Sequence, residues 1–199
     1  MSLNKQQLTN DLVQIFDLSN RTHEQQESVT VQSSASVIAA AITNFMNGAR
    51  ALLVIPGIQL GTPPVPDVIS PPGIELKPLL SLLEIGNTML TGLLVTSMVN
   101  AQAPDAPLGW PEFVAGFPVY LLSLTVWAGG GYTGPTVVIP GIPINILNVH
   151  IHGKNANSAN ESAILLADAI HTSVITATIS GIYTKLSFVT PPVAGLTIG

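Results

Sequence analysis

Two histidines one residue apart, His150 and His152, are the sequence's most direct offer of chemistry. On extended backbone, side chains alternate between faces, so both imidazoles fall on one side and could ligate a transition metal. Two ligands leave a tetrahedral site half filled; copies of the chain around a three-fold axis would complete it. The competing reading is a partly exposed polar pair beside Asn148, and it is the one adopted here, with no stoichiometric cofactor expected. Asp168 and His171 stand three apart, a spacing that brings side chains together on a helix; they are read as a local contact, not half of a catalytic dyad. Gly129, Gly130 and Gly131 are followed by no lysine at phosphate-loop spacing, no serine sits in a nucleophile elbow, and no two carboxylates share a short motif. With no cysteine, thiolate chemistry is excluded as well. The chain is therefore expected not to be an enzyme and to take no small-molecule substrate.

What the sequence does carry is apolar surface. Charged residues make up 9% of the 199, against about a quarter in an ordinary globular protein, while 47% are apolar and the mean hydropathy is +0.49. That is too apolar for a disordered chain and poor in charge for a free monomer. A net charge of -5, with six basic residues scattered singly, argues against nucleic acid, which needs a clustered positive footprint. Charge is also unevenly placed: residues 113–153 contain no Asp, Glu, Lys or Arg, whereas Lys5, Asp11, Asp17, Arg21, Glu24 and Glu27 crowd the start. The opening residues lack the apolar core of a signal peptide, so export by that route is not expected.

The elements that must carry this surface can be read in order. Asn4 and Gln7 form a capping box before Leu8, Leu12, Ile15 and Phe16, which share one helical face, so the pattern predicts a helix over Lys5–Asp17. A polar hinge follows, and then a second helix over Ser34–Asn47, with Val37, Ile38, Ala41, Ile42 and Phe45 as its stripe and Gly48 as its stop. This hairpin, residues 1–50, either folds back on the rest of the chain or reaches out as a docking arm; in the second case Leu8, Leu12, Ile15 and Phe16 are the assembly interface. The remainder, residues 51–199, is read as one apolar body. Its prolines between residues 56 and 72 suit an extended surface strap or inter-subunit connector and cannot sit inside a sheet.

Residues 77–103 are leucine-rich, and no charge falls between Glu84 and Asp105, which is membrane-spanning length. Asn87, Asn100 and Gln102 within it make a helix buried in protein or at a subunit interface the better reading, so a membrane partner is not expected. Pro111 suits a helix start, Pro118 restricts its continuation, and the run Val119–Trp127 reads equally as buried strand or helix. Residues 136–152 read as extended, with Ile142, Ile144, Ile146, Asn148, His150 and His152 on one face. Ser158 and Glu161 form a further capping box for a helix ending near His171, and alternation over Ile182–Phe188 predicts a strand. The fold class expected is α+β: an N-terminal helical hairpin, then a mixed body of apolar helices and short strands with Pro/Gly-rich straps. A weak internal repeat also shows, with residues 37–46 aligning on 165–174 and residues 52–60 on 136–144.

The opening (Ser2–Phe16, a polar hinge, an Ala-rich helix, then a run ending in Pro56-Gly57-Ile58) resembles small virion structural proteins of tailed bacteriophages. Their N-terminal helix pair is likewise followed by Gly/Pro/Thr-rich extended segments, and the His-x-His pair resembles the metal-binding pair of phage central spikes and fibres. The resemblance implies a subunit of tail, baseplate, neck or capsid, assembled in the host cytoplasm into the virion. Its implied partners are copies of itself and other virion proteins. A membrane-associated protein or virion membrane component is the alternative.

Overall fold

The computed structural model describes residues 3–17, 30–51, 74–75, 80–103, 105, 109–123, 136–145, 158–181, 184–185, 188–189 and 193–197. Helix α1 spans Lys5–Phe16. Asn4 Oδ1 accepts from the Gln7 backbone N–H at 3.0 Å, satisfying one of the free donors at the helix start. The reciprocal arm of the box is not made, because the Gln7 side chain turns along the helix and donates to Asp11 at 2.7 Å.

Helix α2 spans Val31–Asn47 and begins three residues before the expected Ser34. Its true box is Thr30 with Ser33: Ser33 N–H donates to Thr30 Oγ1 at 3.1 Å and Thr30 N–H to Ser33 Oγ at 2.9 Å. A serine at the third position does here what glutamate usually does.

Helices α3 (Leu80–Asn100), α4 (Pro111–Ser123) and α5 (Ala159–Ile175) complete the helical set. Of the ambiguous run Val119–Trp127, residues 119–123 are helix and the rest lies outside the described residues; the helix passes through Pro118, which has no N–H to give the Val114 carbonyl. What holds α4 there is an aromatic ladder on its inner face. Trp110, Phe113, Phe117 and Tyr120 follow at centroid spacings of 6.3, 5.6 and 5.5 Å, all almost fully buried. Such offset and edge contacts add to the area that the rings bury.

The principal helix contacts place the elements in the order α5, α1, α2, α3, α4. Small residues set the α3–α4 approach. A Cβ on Gly86 would come within 3.0 Å of the Tyr120 ring, and one on Gly116 would collide with the Leu93 methyls. Ser97, buried on α3, accepts from the Phe113 N–H at 2.9 Å and so caps α4 from outside its own segment.

The expected α+β fold class is corrected by this arrangement. The described core is built by five helices, with Ala49, Trp110, Ile144 and Ala177 added from residues beside them. The extended segments are pairings of two to five residues: β1 (Arg50–Ala51) with β2 (Ile74–Glu75), β3 (Thr136–Ile139) with β4 (Thr178–Gly181), β4 with β7 (Val193–Thr197), and β5 (Thr184–Lys185) with β6 (Phe188–Val189). None forms a layer of the described core. Segments of two to five residues are too short to bury a face of their own, so the described core falls to the helices. Of the expected strand Ile182–Phe188 only residues 184–185 and 188 are described, and there β5 pairs back antiparallel on β6. Ile142 and Ile144, expected on one face, part company: Ile142 is 56% exposed and Ile144 only 2%. Residues 140–145 are not strand, so the two-residue period does not hold there.

Candidate interaction surface

The four residues assigned to the assembly interface lie on the inner side of α1. Leu8 and Leu12 are fully buried within the chain, and Ile15 and Phe16 are half-buried against the same cluster. Both α1 and α2 pack on helices that begin after residue 51: α1 on α5, and α2 on α3. Lys5 Nζ meets Asp168 Oδ1 at 2.7 Å across the α1–α5 seam, a pair half exposed on both sides. Its contribution is that of a surface pair, about 0–1 kcal/mol; the burial of Leu8 and Leu12 is the stronger anchor.

Asp168 therefore bonds Lys5. His171 lies on the same helix with its ring 6.2 Å from that of Phe45 on α2, tilted by 56°. Burial holds its pKa below the ordinary histidine value; Lys5 pushes the same way and Asp168 opposes both. His150 and His152 lie outside the described residues, as does His23. Among the described residues no three of His, Cys, Asp and Glu come together as a metal site would need.

Two open grooves flank α1. One, of about 580 Å³, lies between α1 and α2 and is lined by Leu3, Leu8 and Phe45 together with Asn4, Gln7, Asp11, Asn44 and Asn47. The other, of about 520 Å³, lies over the α1–α5 seam beside Gln6, Thr9, Asn10, Asn160 and Asp168. Much of this polar lining is spoken for within the chain: Gln7 donates to Asp11, Gln6 to Asn10 and Lys5 to Asp168.

The feature missed in the sequence is the outer face of α4. Val119 is 53% exposed and Leu122 48%, with exposed Ala115 one turn before Val119. These three lie opposite the aromatic ladder, and the ladder's own spacing would have located them. Their helix lies at the start of the uncharged stretch 113–153 and ends beside no basic or acidic residue of its own last turn. Glu112 is at the other end of α4, in its first turn; a hydrogen bond from Asn100 holds its carboxyl below the usual carboxylate range.

Among the described residues, no helix is long and apolar enough to cross a membrane. In comparisons with known proteins, no family model, no curated protein and no solved structure matched this chain.

Proposed function

We propose that this chain is a structural subunit that acts by protein–protein assembly, as a component of a tailed-phage particle. The observation that carries the assembly part is the exposed apolar stripe Ala115, Val119 and Leu122 on α4, within residues 113–153 that hold no charge. Aliphatic side chains half in water gain free energy when another surface covers them, and the one charge on this helix face, Glu112, sits in the first turn, away from Val119 and Leu122. The gain is about 25 cal/mol for each Å² of apolar area removed. An uncharged patch is also compatible with itself, since no like charges would oppose each other, and a second copy is the occupant we assign to it. The virion part of the reading is supported by the resemblance of the opening residues to phage structural subunits.

Analytical ultracentrifugation over a concentration series tests the assembly part. The chain should gain mass with concentration, and the double variant Val119→Lys, Leu122→Lys should stay monomeric with an unchanged melt, both side chains being exposed. A wild-type monomer throughout the series, binding no hydrophobe-sensing dye, would overturn it. Peptide identification in purified particles tests the virion part separately.

A further inference from the structure

We infer that residues 30–51 and 158–179 are two copies of one structural unit, a capped helix running into a strand, repeated within the chain. The shift is constant at 128, the difference between the N-caps Thr30 and Ser158. Both helices are 17 residues long, and both open with a complete capping box at the same two positions, Thr30 with Ser33 and Ser158 with Glu161. The first backbone bonds correspond, Ser34 N–H to the Thr30 carbonyl and Ser162 N–H to the Ser158 carbonyl, each 3.0 Å.

The exits correspond in their dihedrals, although the Gly48 N–H bonds the Phe45 carbonyl three residues back at 3.1 Å and the Thr176 N–H the Thr172 carbonyl four back at 3.2 Å. Gly48 has φ -85 and ψ -9, Thr176 φ -90 and ψ -10, so the glycine is not there for a left-handed turn. One residue on, Ala49 N–H bonds the Met46 carbonyl at 3.0 Å and Ala177 N–H the Val174 carbonyl at 3.1 Å. Both alanines are fully buried. The strand then starts at once, and its first two residues pair antiparallel with a strand later in the chain: Arg50 with Glu75 and Ala51 with Ile74, Thr178 with Thr197 and Ile179 with Leu196.

Burial repeats position by position. Ala35, Ala39, Ile42 and Ala49 are buried and recur unchanged as Ala163, Ala167, Ile170 and Ala177; Ile38 and Met46 recur as Leu166 and Val174. The outward position is shared too, Val37 being 51% exposed and Leu165 36%. Any two amphipathic helices can be aligned on their stripes. Stripes alone do not also match the cap, the box, the length, the exit dihedrals and the strand start under one shift; the partner strands are offset by 122, and Thr178 and Ile179 pair on their other edge with Ile139 and Val138. The second half of the repeat seen in the sequence, residues 52–60 against 136–144, has a shift of 84 and does not belong to the unit. Helix α1 packs on both α2 and α5, so it is the element that the two copies share. The copies differ at two contact positions: Ala40 corresponds to Asp168, the partner of Lys5 on α1, and Thr43 to His171, whose ring lies near Phe45 on α2.

The test is a chimera in the full chain. Residues 158–179 are replaced by the sequence of 30–51, keeping Asp168, His171 and Ser173 so that contacts to α1 and α2 and the volume at 173 are unchanged. A second chimera carries the same insert displaced by one residue, which rotates its stripe by about 100°. We expect the in-register chimera to keep a single cooperative melt and the displaced one to lose it; equal loss in both would overturn the inference. Independently of chimera folding, nuclear Overhauser contacts in the wild-type chain should link residue 51 with 74 and residue 179 with 196. Absence of either pair also overturns it.

Discussion

Replacing Leu12 by alanine separates the two roles open to α1. Leu12 has no exposed surface and packs where α1 meets α2 and α5. Removing three carbons from a fully buried side chain forfeits about 2.4 kcal/mol of transfer free energy at about 0.8 kcal/mol for each. The unfilled space adds a cavity term, which places the loss within the range of about 2–5 kcal/mol seen for buried Leu→Ala. We take about 3 kcal/mol as the central expectation, a large share of the roughly 5–15 kcal/mol that holds a domain together.

The assay is equilibrium urea unfolding, followed by far-UV circular dichroism and by tryptophan fluorescence. Trp110 is buried beside α4, at the far end of the helix order from α5. With a slope of about 2 kcal/mol per molar urea, the midpoint should fall by about 1.5 M in both signals. Leu8→Ala should behave alike, and the pair should not add simply, since the residues are one turn apart. For the same reason, deleting residues 1–19 should abolish the cooperative melt, whereas a detachable arm would leave the remaining body intact. If Leu12→Ala leaves the midpoint in place while the assembled mass falls, α1 is the arm and the core assignment is refuted.

Further outcomes follow from single contacts. Ser97→Ala leaves the Phe113 N–H buried without its acceptor and should cost about 1–3 kcal/mol in the same titration. Gly86→Ala presses a methyl on the buried Tyr120 ring at 3.0 Å and should destabilise, by about 1–2 kcal/mol after its helix-propensity gain, whereas Gly92→Ala meets nothing within 4 Å and should stabilise by about 0.5–1 kcal/mol. His171 binds its proton less readily folded than unfolded, so its contribution is fully present above its ordinary pKa of 6.5 and is lost as the pH falls through the lower folded value. The melting temperature should therefore decline on acidification below neutrality; His171→Gln should remove that part of the decline, and Lys5→Met should shrink it by removing the charge that opposes protonation.

Local signals were legible in the sequence and long-range ones were not. Asn4 with the stripe Leu8, Leu12, Ile15 and Phe16 located α1 to within a residue, because a cap and a period of 3.6 are both written in adjacent positions. The start of α2 was misplaced because Ser33 stands where a box usually shows Glu or Gln, although its hydroxyl reaches the Thr30 N–H equally well. Pro118 left α4 open between strand and helix in the sequence, although the spacing 110, 113, 117, 120 is helical and one missing helix bond costs less than the burial of four rings gains. The α1–α5 seam could not be foreseen, since Lys5 and Asp168 are 163 residues apart and either could have paired with solvent.

The same contrast explains why the internal repeat looked weak in the letters and is clear in the fold. Its identities are alanines and isoleucines, which recur by composition in any apolar helix, and residues 52–60 invited a second alignment with a conflicting shift. What distinguishes the unit is backbone bookkeeping: which N–H meets which oxygen at the entry, which dihedrals carry the exit, and which strand residue pairs next. Thr30 with Ser33 and Ser158 with Glu161 differ in their letters and perform the same two hydrogen bonds. A capped, closely packed helix depends on those bonds and on alanines that let neighbours approach, whereas position 40 in one copy is a plain alanine and its counterpart 168 in the other is the ion-pair partner of Lys5.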